Sequence, residues 1–137
     1  MLETTLSSLD GLPLFLAYFA VAIVLVLIFI GLYTWITPHS EMDLIRANNP
    51  AAALAFGGAL IGFALPLSSA ITHSLSLLDC AIWGAVALVV QVLTFTVLRF
   101  SIKQLPERIH NGEIATGILS AAVAIAVGLI NAACMSY

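Results

Sequence analysis

Outside the charged segments of this chain, the side chains best suited to chemistry are amides and hydroxyls. We single out one glutamine, one asparagine and three serines, two of which follow a proline: Gln91, Asn131, Ser120, Ser68 and Ser69, with Pro66. Amides and hydroxyls donate and accept hydrogen bonds, but they carry no charge near neutral pH. Their expected chemistry is therefore hydrogen bonding, either within the protein or to a small polar solute.

The residue types that catalyse reactions or bind metals form no recognisable arrangement. We find no Ser-His-Asp or Cys-His pattern, no glycine-rich phosphate loop and no metal-ligand cluster. His39, Glu41 and Asp43 are close in sequence, but three side chains in a helix-entry turn would not converge on one ion. We predict that the protein is not an enzyme and uses no metal or cofactor.

The polar side chains must be positioned by helices, because the charged residues leave long uncharged windows. There are four such windows: 11–40, 47–78, 80–98 and 114–137. The hydrocarbon core of a bilayer is about 30 Å thick, and a helix of roughly 20 apolar residues crosses it. The pattern predicts four transmembrane helices at about 14–37, 51–71, 80–98 and 114–135.

Composition places the chain in lipid rather than in water. Hydrophobic residues make up 62% of the 137 residues and charged residues 8%, where a soluble domain carries roughly half and a quarter. The net charge is -3 and there is no basic run, so a nucleic-acid partner is not expected. We predict an all-α, polytopic membrane protein forming a single transmembrane domain over 1–137, with the lipid bilayer as its first partner.

The basic residues predict an orientation. All four lie in the first and third connections between the predicted helices: Arg46, Arg99, Lys103 and Arg108. By the positive-inside rule these connections form a cytoplasmic basic surface, and both termini lie outside. Cys80 and Cys134 then fall near the outer surface, where a disulfide is conceivable, although they fit better as small apolar residues.

A helical hairpin is predicted to occur twice. At an offset of 62 residues, Arg46 aligns with Arg108 and Asn49 with Asn111, each pair preceding an even-numbered helix. The predicted repeats cover about 13–71 and 77–135. Because both copies enter the membrane in the same direction, we expect a parallel repeat about an axis along the membrane normal.

Small residues mark the second and fourth helices as the packing core. They recur at steps of three and four residues, most clearly at Gly58, Gly62, Gly117, Ala121 and Gly128. Small residues let helix backbones approach closely, which is what holds helices together in lipid. The same faces also suit a homo-oligomer interface.

Depth along the helices separates the two amides. Gln91 lies roughly 12 Å from the inner boundary and Asn131 roughly 27 Å, so they are not expected to be partners. At the level of Gly58 and Ala121, a backbone carbonyl or the Ser120 hydroxyl is the expected partner of Gln91. Gln91 either joins helices or lines a polar path.

Pro66 predicts an outer polar pocket. Proline has no N–H, so it leaves the Gly62 carbonyl without its helical donor and bends or ends the second helix. That carbonyl, Ser68, Ser69 and Asn131 would then form the pocket, which either repairs the broken helix or binds a small molecule or ion. No ionisable residue lies inside a predicted span, which disfavours proton-coupled pumps and carriers of charged substrates.

The first cytoplasmic connection is also predicted to contain a short helix. Ser40 and Asp43 have the spacing of a capping box with Asp in place of Glu, and Pro50 would end that helix.

Three stretches of sequence resemble a known family. They are Arg46-Ala-Asn-Asn-Pro-Ala-Ala-Ala-Leu, Gly57-Gly58-Ala-Leu-Ile-Gly62-Phe-Ala-Leu-Pro66-Leu, and Gln91 followed by Asn131-Ala-Ala-Cys134-Met. Nearly the whole chain is similar to the YjfL family of small bacterial inner-membrane proteins. The resemblance implies four helices in a duplicated hairpin in the inner membrane. It also implies an association, through gene neighbourhood, with membrane-stress proteins of the phage-shock type.

Two functional hypotheses remain open from the sequence. In the first, the protein is a membrane scaffold or stress-linked sensor whose basic loops meet lipid headgroups or a peripheral cytoplasmic membrane-stress protein. In the second, several copies assemble into a passive channel or transporter for a small ion or polar solute.

Overall fold

A computed structural model describes residues 1–36 and 41–135 of the chain. Within them the chain is entirely helical, with seven helices in this order: α1 (Leu2–Leu9), α2 (Leu12–Ile36), α3 (Glu41–Arg46), α4 (Pro50–His73), α5 (Leu77–Ser101), α6 (Leu105–His110) and α7 (Ile114–Cys134).

Four of these helices are long and apolar enough to cross a membrane. α2, α4, α5 and α7 contain 25, 24, 25 and 21 residues, and about 20 suffice for a crossing. The prediction of an all-α protein with four candidate spans is therefore confirmed. The end expected for the first span, at residue 37, and the expected capping residue Ser40 lie outside the described residues.

Side-chain caps set the starts of α4 and α5. Asn49 accepts a hydrogen bond from the backbone N–H of Ala52 at 3.1 Å, and Pro50 occupies the first turn, where its missing N–H costs nothing. Ser76 likewise accepts from the N–H of Asp79, whose carboxylate accepts from the N–H of Leu75. These caps place the start of α5 three residues before the predicted position, and they make Pro50 the beginning of α4 rather than the end of the preceding short helix.

Pro66 does not end its helix. α4 continues past it to His73. Of the two predicted alternatives, a bend or an end, the end is therefore excluded, and the helix runs past residue 71 as the predicted span does. The carbonyl that the proline leaves without a helical donor receives one from another helix, as described below.

The short helices α3 and α6 lie together at one end of the bundle. Their apolar residues pack against the first turns of α4 and the last turns of α5, in a cluster that includes Leu44, Ile45, Leu105, Ile109 and Leu98. Leu105 and Ile109 are almost completely buried. Both short helices are therefore packed against the bundle.

The long helix α4 occupies the centre of the bundle. It contacts α7 most extensively and also packs on α5 and α2, whereas the main contacts of α2 are with α5 and α4. Half of the most apolar stretch of α4 is buried within the protein, compared with 11% for the first span. The remaining apolar surface, including Phe15, Phe19 and Leu27 on α2, suits contact with lipid.

An aromatic cluster attaches α2 to the other helices. Phe29 stacks on Phe63 with ring centroids 4.9 Å apart, and Tyr33 lies 4.6 Å from Phe95 and 5.4 Å from Phe56. Such ring pairs contribute about 0.5–1.5 kcal/mol beyond the area they bury. The sequence analysis placed the packing core on the second and fourth helices and did not anticipate this cluster.

Glycines bring α4 and α7 into backbone contact. A methyl group added at Gly117 would meet the Ala51 carbonyl oxygen at 2.7 Å, near the start of both helices. Near their other end, Ser69 donates a hydrogen bond to the Ala132 carbonyl. Because the contacts advance along both helices together, α4 and α7 run parallel to each other.

Candidate functional site

In the middle of the bundle, one side chain forms hydrogen bonds to two other helices. Gln91 on α5 is only 2% exposed, and its Nε2 donates to the Gly62 carbonyl of α4 at 2.6 Å and to the Ala124 carbonyl of α7 at 3.4 Å. Pro66 supplies no N–H to the Gly62 carbonyl, so the glutamine takes the place of the missing helical donor. One side chain thus completes the backbone of α4 and joins α4, α5 and α7.

The partner of Gln91 lies one helical turn from its expected level. The sequence placed the glutamine beside Gly58 and Ala121, whereas the structure places its amide beside Gly62 and Ala124. Helical side chains point towards the N-terminus of their own helix, and α5 begins at the end of the bundle opposite α3 and α6. The side chain therefore leans away from those short helices and reaches the next turn of α4.

The backbones surrounding this hydrogen bond are in direct contact. A methyl group added at Gly62 would overlap the Ala124 carbonyl, one added at Gly128 would overlap the Gly62 carbonyl, and one added at Gly58 would overlap Ala121. The five small residues singled out in the sequence are thus placed along one α4–α7 contact.

Ser120 lies beside this centre but does not bond to Gln91. The residue is 5% exposed, and its hydroxyl has no hydrogen-bond partner among the described residues. Gln91 and Ser120 both line a small internal space, together with residues of α2, α4 and α5 such as Tyr33, Ala59 and Thr94.

The outer polar group is assembled differently from the predicted pocket. Ser69 donates to the Ala132 carbonyl at 2.9 Å and lies 3.3 Å from Nδ1 of His73, while Ser68 is exposed. The buried Nδ2 of Asn131 has no partner among the described residues. The Gly62 carbonyl, which was expected in this group, accepts a hydrogen bond from Gln91 instead.

The two amides remain separate in the structure. Asn131 lies seven residues beyond Ala124 on α7, which is about 10 Å along the helix. Since the Gln91 amide is already bonded to two carbonyls, the two groups do not form one continuous polar surface within a single copy of the chain.

The basic residues gather at the end of the bundle that carries α3 and α6. Arg46, Lys103 and Arg108 are exposed, and Arg108 lies 3.8 Å from the Glu113 carboxylate. Arg99 differs, because its Nη1 donates to the Ile36 carbonyl at 2.8 Å. It thereby satisfies a carbonyl at the last turn of α2 and ties that helix to α5.

Asn49 joins α4 to α6 at the same end. While its side-chain oxygen caps α4, its Nδ2 donates to the carbonyls of Ile109 and His110 at 2.9 and 3.0 Å. The sequence analysis used Asn49 only to align the repeats. Its position directly before Pro50 is the signal of a helix cap, but no sequence signal identifies the second helix that it contacts.

Residues of the metal-binding and thiol types are dispersed. Among residues 1–36 and 41–135, no three His, Cys, Asp or Glu side chains come together to hold a metal ion. His39, which is close in sequence to Glu41 and Asp43, lies outside this part of the chain. Cys80 is buried, Cys134 is exposed, and both are free thiols.

The helices form four apolar candidate spans, a buried amide is bonded to backbone carbonyls among them, and the basic residues lie at one end of the bundle. These features define a multi-pass helical membrane protein. The family model described as Domain of Unknown Function (DUF350) matches residues 7–135. The inner membrane protein YjfL of Escherichia coli K12, of the UPF0719 group, is 45% identical over 94% of this chain and 98% of its own length. The transmembrane protein YshE of Bacillus subtilis, of the same group, is 25% identical over 85% of this chain and 89% of its own.

The chain belongs to the UPF0719 (DUF350) family, and the resemblance to YjfL seen in the sequence is confirmed. Together with the four candidate spans, this makes it an integral, multi-pass protein of the inner membrane. No solved structure matches the chain.

Proposed function

We propose that this protein is a non-enzymatic membrane scaffold or stress-linked sensor that presents α3 and α6 to a peripheral cytoplasmic protein. The observation that supports this most directly is the packing of both short helices. Their apolar residues are held against α4 and α5, while Arg46, Lys103 and Arg108 remain exposed. The same end also carries Glu41, Asp43, Glu107 and Glu113, so the charges of the surface are mixed. Such a surface on a fixed support is suited to docking a partner with a complementary charge pattern, because its charges need little ordering on binding.

The proposed orientation places both termini outside and the basic end in the cytoplasm. It is supported by the clustering of Arg46, Lys103 and Arg108 with α3 and α6, together with the positive-inside rule. A duplicated hairpin is also part of the proposal. The order of a long helix, a six-residue helix and a long helix occurs twice, in α2 to α4 and again in α5 to α7.

The orientation is tested with single cysteines. In a variant lacking Cys80 and Cys134, we expect K103C to be protected from a membrane-impermeant maleimide in intact cells and L75C, in the exposed turn before α5, to be labelled. Permeabilised cells, in which both react, serve as the control. Labelling of K103C in intact cells with protection of L75C would reverse the proposed topology.

The docking surface is tested by neutralising its charges. Exposed ion pairs contribute about 0.5 kcal/mol each, so the triple variant R46Q/K103Q/R108Q should weaken partner binding by about 1.5 kcal/mol, or roughly tenfold. The measurement is quantitative recovery of cytoplasmic proteins on the full-length protein in lipid nanodiscs. R99Q is the control, because Arg99 bonds to the Ile36 carbonyl, and it should leave recovery unchanged. Equal recovery on the wild type and the triple variant would refute the proposal.

A passive conduit formed by several copies is less well supported. The Gln91 amide is occupied by two backbone carbonyls, and the Asn131 group lies about 10 Å away along α7. The small-residue faces predicted as an oligomer interface are used by the contact between α4 and α7. A homo-oligomer remains part of the proposal because two other small residues of α7, Ala122 and Ala126, are exposed and suit a helix contact. The mass of the protein in mild detergent tests whether it is an oligomer, and ion flux in proteoliposomes tests whether it is a conduit.

A further inference from the structure

A small internal space lies among α2, α4, α5 and α7, next to the Gln91 side chain. Its volume is about 10 Å³, and its lining includes four polar side chains: Tyr33, Gln91, Thr94 and Ser120. Measured as the space open to a water-sized sphere, roughly 10–15 Å³ is the least that holds one water molecule. Size and lining together are therefore those of a site for a single small polar molecule.

The Ser120 hydroxyl requires a partner from this space. It is buried and makes no hydrogen bond to any described residue. Thr94 on the facing helix behaves differently, since its hydroxyl donates to the Val90 carbonyl one turn earlier at 2.8 Å. A hydroxyl in an apolar interior without a hydrogen bond costs free energy, so a native hydroxyl in such a position normally has a partner.

Gln91 offers an acceptor at the same place. Two carbonyls flank its amide, those of Gly62 and Ala124, so the nitrogen must be the atom that faces them. That orientation leaves Oε1 as an acceptor on a side chain that lines the space. Thr94 also keeps acceptor capacity, because its hydroxyl donates only one hydrogen.

We propose that this space is a binding site for one water molecule, which accepts a hydrogen bond from Ser120 and donates one to Oε1 of Gln91. None of the lining residues is charged, so an ion would be uncompensated, whereas water is neutral and can both donate and accept. The site lies within the spans and is independent of the basic surface, so its failure would not affect the proposed docking function.

The direction of a stability change tests the site. If water is bound, S120A removes one of its partners, and we expect a lower midpoint of thermal unfolding for the purified full-length protein in detergent. If no water is bound, the same change removes an unpartnered hydroxyl, and the midpoint should rise or stay the same. The control is S101A, which alters an exposed serine of α5 and should not shift the midpoint.

A direct observation on the wild type completes the test. In a high-resolution crystal structure grown from lipid, the proposal predicts solvent density about 2.7–3.2 Å from both Ser120 Oγ and Gln91 Oε1. Missing density at that place, or an S120A midpoint that is raised or unchanged, would overturn it.

Discussion

Replacing Gly62 with alanine is expected to destabilise the protein by about 2 kcal/mol or more, within the range typical of overpacked cores. The added methyl group would overlap the Ala124 carbonyl of α7. A backbone carbonyl cannot rotate away as the end of a side chain can, so the two helices must separate. Separation would also disturb the Gln91 hydrogen bond, because the glutamine donates to both helices.

Gly57 provides a matched control on the same helix. A methyl group there would meet nothing within 4 Å, and alanine is intrinsically the better helix former by about 1 kcal/mol. G57A should therefore leave stability unchanged or raise it slightly, while G62A lowers it. Reversible unfolding in mixed micelles measures both, and equal effects would show that the α4–α7 contact is not close-packed.

Replacing Gln91 with methionine is expected to cost about 1–2 kcal/mol. Methionine has a similar length and flexibility but donates no hydrogen bond, so the change removes the donor while keeping most of the volume. The Gly62 carbonyl would then lack a partner inside the membrane, where water cannot substitute. The cost is at the upper end of that found for hydrogen bonds between membrane helices.

A second substitution identifies the cause of that cost. P66A restores a backbone N–H that can donate to the Gly62 carbonyl within α4. Q91M should then cost much less in the P66A background than in the wild type, and a double-mutant cycle measures the difference. If Q91M costs the same in both backgrounds, the glutamine does not replace the donor that proline lacks.

The number and type of spanning helices were predictable from charge alone. A charged side chain is expensive in hydrocarbon, so the windows between charges mark the segments that can cross. The ends were less predictable, because they depend on caps. The uncharged window begins at Cys80, but the cap at Ser76 makes α5 begin earlier. This is possible because the first turn of a helix can hold the charge of Asp79 near the membrane surface.

The site was predictable only as a set of residue types. The sequence indicated that Gln91 needs a carbonyl partner and that Pro66 leaves a carbonyl free, but it assigned these two needs to different places. To recognise that Gln91 bonds to the carbonyl left free by Pro66, one needs the direction of the glutamine side chain relative to its helix and the distance between the two helices. The aromatic cluster of Phe29, Tyr33 and Phe63 was missed for a related reason, because aromatic residues suit both lipid and a protein interior.

The α4–α7 contact has a consequence for how the chain is made. During synthesis α4 leaves the ribosome well before α7, the last of the long helices. Until α7 inserts, the face of α4 that bears Gly58 and Gly62 has no Ala121 or Ala124 to cover it. The nascent protein can therefore complete these backbone contacts only after α7 has been made, and a chain truncated before Ile114 would leave its central helix without its main packing partner.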